Sequence, residues 1–178
     1  MHDVMKNVTK ILVMLILVLV HIGLDQRLYF YGEGYLNLGS SLPLNIKPEH
    51  RNDFEGGFIL WDQHYMSLVG KGVKYSNSRK KIDEIVKYGF SDEKLIVLVR
   101  DIGDDCYYVE ISKNKNPYTR QEFSIIINRE EAVSNLDDYQ WIEIRGNEKN
   151  VVRMVRIRSY SMIVLILLVL WVSIKKIL

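Results

Sequence analysis

The chain has 178 residues, with 24 Lys and Arg against 22 Asp and Glu and a formal net charge of +2. That length is enough for one domain with its own core, and a lone cysteine, Cys106, excludes an intramolecular disulfide. Setting aside the terminal Lys6, Lys10, Lys175, Lys176 and Asp3, and the trio Arg153, Arg156 and Arg158, leaves 17 basic and 21 acidic residues in the middle. This mildly acidic balance excludes the clustered positive surface that nucleic acid requires.

Residues 1–7 form a short tail. An apolar run follows at 11–24, ILVMLILVLVHIGL, and 8–24 reaches spanning length if Lys10 carries its ammonium to the interface. A core helix of a small domain would show a polar stripe at a period of about 3.6 residues, and this run shows none. The reading adopted is a transmembrane helix or uncleaved signal anchor. A cleaved signal peptide is the alternative, opposed by the lack of a small-residue cleavage site after Leu24.

Residues 25–153 read as one mainly-β domain, an antiparallel meander of hairpins with a short helix. Tyr29, Phe30 and Tyr31, the turn Gly32-Glu33-Gly34, and residues 35–38 suggest a first hairpin. Residues 57–61 and 65–69 suggest a second, with Asp62, Gln63 and His64 at its tip. The third pairs 82–90 with 95–100 across a polar turn. In its first arm Val86, Tyr88 and Phe90 alternate onto one face. Its second arm, Leu95-Ile96-Val97-Leu98-Val99, is apolar throughout, as a strand covered on both faces should be. A strand at 106–112 completes the meander after Asp101, Asp104 and Asp105. The three hairpins repeat loosely, near every 27 residues, which suggests stacked hairpins or part of a propeller.

Beyond a turn at 113–117, the spacings Thr119–Glu122 and Asn128–Glu131 fit capping boxes. A short helix is expected around 129–136, then a last strand at 140–145. A basic juxtamembrane segment, 154–158, precedes the second apolar run, SYSMIVLILLVLWVSI at 159–174, read as a transmembrane helix with a tail at 175–178. Lysines beyond both runs place the termini inside and the middle domain outside the cytoplasm. Arg153, Arg156 and Arg158 oppose that orientation.

The segment 81–90, with Lys94-Leu95-Ile96-Val97 and 106–111, is similar to a β-meander of small uncharacterised bacterial envelope proteins, many of them lipoproteins. The resemblance covers about a third of the chain. It implies a fold and an envelope location, and no activity. The chain departs from that pattern in lacking a lipid-bearing cysteine and in adding a C-terminal apolar run.

No catalytic motif is present, and no cofactor or metal is expected. His2, His21, His50 and His64 lack ligand spacing, with His50 read as part of a polar loop and His64 as a turn residue beside Asp62. Asp101, Asp104 and Asp105 lack the ligand ladder of a calcium loop. Gly32-Glu33-Gly34 and Gly70-Lys71-Gly72 lack the following helix of a nucleotide loop. Cys106 reads as a small strand residue, and Arg79, Lys80 and Lys81 as a solvated loop. The expectation is a membrane-anchored protein-interaction module of the bacterial inner membrane, an accessory subunit or an immunity-type protein. Its partners would be the bilayer and another protein, met by exposed tyrosines and Trp61. The alternatives are a small envelope enzyme whose site forms only on folding, and a structural scaffold. The scaffold predicts that the two apolar runs pack side by side or against a partner, and neither carries GxxxG.

Overall fold

The computed structural model describes residues 2–35, 41–51, 57–73, 75, 81–115, 122–129 and 136–177. Two helices, α1 (His2–Tyr29) and α2 (Glu148–Ile177), flank eight strands: β1 (Lys47–Arg51), β2 (Gly57–Trp61), β3 (Ser67–Val69), β4 (Ile82–Phe90), β5 (Lys94–Asp101), β6 (Cys106–Lys113), β7 (Phe123–Arg129) and β8 (Gln140–Glu143). The architecture is mainly β between two apolar helices.

Both helices outrun the apolar stretches. Their segments Val8–Tyr29 and Glu148–Val172 are long and apolar enough to cross a membrane. A buried core helix would have its apolar side chains covered, yet Ile11, Leu19 and Leu167 are 67%, 60% and 59% exposed. The helices run antiparallel against each other. Asp25 meets Arg158 at one end, and the Lys10 ammonium lies 4.4 Å from the Trp171 ring centroid further along. Both chain ends therefore lie at one end of the pair and the strands at the other. The basic segment 154–158 is an internal stretch of α2 and no separate element.

The strands form two antiparallel sheets, β1-β2-β3 and β7-β6-β5-β4-β8. The meander β4–β7 follows chain order, and β8 returns to pair with β4. Phe58, Leu60, Leu68 and Val69 of the small sheet pack on one face of the large one, with the Phe58 and Tyr88 rings stacked at 5.5 Å. The opposite face carries Ile96, Leu98 and Tyr108 under Leu136, Tyr139 and Trp141. Coverage on both faces explains the unbroken apolar run of β5, all five of whose residues 95–99 are buried.

Four expectations are corrected. The hairpin at 29–38 does not form. Tyr29 ends α1 and Phe30 to Gly32 turn, because both rings pack into the core, Phe30 stacked on Phe90 at 5.6 Å. Residues 36–38 lie outside the described residues. Without that hairpin the period near 27 residues has no structural counterpart. Second, Val86 does not share a face with Tyr88 and Phe90. The register shifts between Ile85 and Lys87, and this bulge turns Val86 to the opposite face. Third, no capping box forms at Asn128, which sits in β7; Arg129 ends that strand, and Leu136–Asp138 is a 3₁₀ turn. Residues 130–135 and 116–121, with the Thr119 box, lie outside the described residues. Fourth, His50 lies in β1, a strand that tolerates Pro48 because it is the sheet edge.

Burial holds three core tyrosines neutral. It raises Tyr88 well above its ordinary value, raises Tyr75, and pushes Tyr107 up to about 12. In the unfolded chain the same phenols ionise near 10, so between pH 10 and 12 the folded state binds more protons and stability falls as pH rises. Thermal melts of the detergent-solubilised protein should be flat up to about pH 9.5 and fall steeply above about 10. Tyr107→Phe should soften the decline, and a melting temperature unchanged at about pH 11.5 would contradict it.

Candidate functional site

The helix pair and the strand domain are joined by a buried polar clamp. Arg158, on α2, donates from Nη1 to Asp25 Oδ1 on α1 at 2.6 Å and to the Glu33 carbonyl at 2.6 Å. Both side chains are almost fully buried, at 3% and 1% exposure. The Tyr35 backbone N–H donates to both Asp25 carboxylate oxygens, at 3.0 and 3.1 Å, and the Tyr35 ring lies 4.1 Å from the guanidinium. The loop after α1 thus folds back over the ion pair. Gly34 permits this, since a Cβ there would lie 2.6 Å from the Tyr29 Cα. Gly32, at φ +74°, turns its carbonyl to accept from the His50 N–H of β1 at 3.3 Å.

A pair this deeply buried stabilises little on its own, but removal of one partner strands the other charge at a cost of about 3–5 kcal/mol. Asp25→Leu and Arg158→Met should each lower the melting temperature sharply. The double variant Asp25→Leu with Arg158→Met should recover most of the loss. Additive losses in that cycle would show that the two charges are not coupled.

Above the clamp a cleft of about 600 Å³ opens between α2, the small sheet and β4. Phe58, Ile85 and Ile144 supply apolar wall, and Val151, Val152 and Val155 of α2 face them. The bulge in β4 sets this wall. The Val86 carbonyl accepts from both the Ile144 and Arg145 N–H groups, at 3.0 and 2.9 Å, which fixes where the chain leaves β8 for α2. Most charged lining residues are committed. Glu84 lies between Arg100 at 3.1 Å and Arg145 at 3.3 Å, Asp83 is 3.9 Å from Lys71, and Glu33 is 3.4 Å from His50. Glu148 accepts from the Gly146 N–H at 3.1 Å. Arg156, also lining the cleft, forms no ion pair among the described residues.

The large sheet ends in an open edge. β7, Phe-Ser-Ile-Ile-Ile-Asn-Arg, pairs with β6 on one side and, among the described residues, with no strand on the other. Its Phe123, Ile125 and Ile127 turn to the core, and Ile126 on the other face is 47% exposed. The triple isoleucine was the available sequence signal for β7, which sequence reasoning missed.

The residues singled out in the sequence do not converge. Asp62 is a turn residue whose carboxylate accepts from the His64 and Met66 N–H groups, at 2.8 and 2.7 Å; the His64 ring faces Glu122 instead, at 3.8 Å. Asp101 closes its turn the same way, accepting from Gly103 and Asp105 at 2.9 and 3.0 Å. Cys106 opens β6, exposed and away from the cleft. Trp61 is half-buried under the Arg51 guanidinium at 4.8 Å, while Tyr65 at the β2–β3 turn is exposed. Among the described residues no His, Cys, Asp and Glu side chains gather as a metal-binding group. Among the described residues the cleft lining includes no Ser, Thr or Cys. The chain matches no protein-family model, no curated protein and no solved structure.

Proposed function

We propose that the protein is a membrane-anchored interaction module of the bacterial envelope, held in the inner membrane by α1 and α2 with its β domain outside the cytoplasm. The observation that carries this reading is the open edge of β7. An unprotected, apolar edge strand is a template for strand addition, and soluble proteins ordinarily blunt such edges. Here the edge has no Pro and no Lys. Backbone hydrogen bonds to an added strand would give affinity, and side chains around Ile126 would give selectivity. The partner is an extended protein segment, as an accessory subunit or an immunity-type protein would engage. The reading assigns no catalytic residue, since the carboxylates of the cleft are engaged by arginine, lysine, histidine or a backbone N–H.

The orientation rests on Lys6, Lys10, Lys175 and Lys176 at the far end of the helix pair from the strands, against Arg153, Arg156 and Arg158 on the domain side. A protease site inserted after Lys115 should be cut in cells whose outer membrane has been opened. Protection until lysis would place the domain in the cytoplasm and overturn this orientation.

A photocrosslinking residue at Ser124 or Ile126 tests the edge in intact cells. A discrete adduct is expected there and not from a probe at Tyr65, with the Ser124 adduct reduced by Ile126→Lys. Absence of an adduct at both β7 positions, or equal adducts at Tyr65, would remove the strand-addition reading.

A further inference from the structure

We infer that the cleft above the membrane holds the phosphate of a glycerophospholipid whose acyl chains run down the outer face of α2. The inference rests on α2 crossing the bilayer and is independent of the β7 edge. Four observations carry it.

The first is continuity of the helix face. Val151, Val152, Val155 and Arg156 line the cleft. Helical spacing extends that face through Ser159, Met162, Ile163 and Ile166. Met162, Ile163 and Ile166 are 44%, 53% and 50% exposed, turned away from α1. Lipid lying on this face would reach the cleft without leaving α2.

The second is height. Arg158 and Asp25 mark the end of the apolar runs. Arg156 stands two residues above, about 3 Å at the helical rise. The headgroup layer on each side of a bilayer is about 5–7 Å deep. The lower end of the cleft therefore lies at the level of lipid phosphates.

The third is charge. Lys71, Arg145 and His50 each face a carboxylate in the cleft. Arg156 faces none among the described residues. A guanidinium at the cleft floor offers paired donors to a phosphate.

The fourth is shape. About 600 Å³ in which Phe58 and Ile85 face the valines of α2, with a cation beside those valines at the membrane end, suits an amphiphile. Glu33, Asp83, Glu84 and Glu148 also line the cleft and disfavour a free multiply charged anion entering from water. A lipid presents its phosphate from below.

The test uses the full chain extracted in mild detergent, with phosphatidylethanolamine, phosphatidylglycerol or diacylglycerol added and retained lipid read by native mass spectrometry. Both phospholipids should be retained and diacylglycerol should not. Arg156→Gln should weaken retention about tenfold or more, the loss expected for a charge-assisted contact. Arg153→Gln, which removes the same charge outside the cleft, should retain lipid as the native chain does. Val152→Trp, which fills the cleft, should release it, and thermal melts establish that each variant is folded. Four results would overturn the inference: no phospholipid retained by the native chain; equal losses in Arg153→Gln and Arg156→Gln, as general surface attraction predicts; retention by folded Val152→Trp; or retention of diacylglycerol equal to that of the phospholipids.

Discussion

The Asp25–Arg158 pair is the constraint on which the arrangement depends. It lies where both apolar runs end, so it sets the register of α1 against α2. Its spare hydrogen-bonding capacity is met by the chain leaving α1, through the Glu33 carbonyl and the Tyr35 N–H. One charge pair therefore locks three segments together. A hydrophobic substitute could match its stability, because two buried charges give up most of their attraction to desolvation. It could not supply the same direction. Apolar helices can slide along each other with little penalty, whereas an unpaired Arg and Asp at this depth cannot be tolerated.

From that point the fold is built outward in steps. The Tyr88 hydroxyl donates to the Phe30 carbonyl at 2.6 Å, tying the central strands to the turn above α1. The bulge in β4 presents the Val86 carbonyl to the chain entering α2. The strand domain is thus bonded to both helices at their membrane-distal ends. The cleft is what remains where α2, leaving the sheet at Ile144, cannot also pack against the small sheet. Its apolar and charged walls follow from its position, half beside a core and half beside the exposed face of α2.

Much of this was legible in the sequence. The two apolar runs, the second hairpin, the meander β4–β6 and the doubly covered β5 were visible because a long run or a period of two reports burial directly. Elements whose residues serve two purposes were not. Tyr29, Phe30 and Tyr31 have strand composition, but they end a helix and fill the core. Lys47–Arg51 reads as loop because an edge strand tolerates Pro48 and solvated charges. Val86 keeps perfect alternation in the sequence and loses it to a bulge. The clamp was invisible for a different reason. Arg158 was noted only as a charge opposing the orientation, and its partner lies 133 residues away. No local pattern encodes such a pair.

The same long-range pairing changes how the charges near the membrane should be counted. A sequence tally treats Arg153, Arg156 and Arg158 as equivalent. In the fold they are three different groups. Arg158 is buried and neutralised, and acts as a structural cross-link. Arg153 is exposed to solvent. Arg156 lines the cleft and forms no ion pair among the described residues. Rotation by 100° per residue is what separates them, since neighbours two and three apart on α2 look toward solvent, cleft and partner helix in turn. The basic character of residues 153–158 is thus divided between holding the anchor together and presenting a cation at the cleft floor.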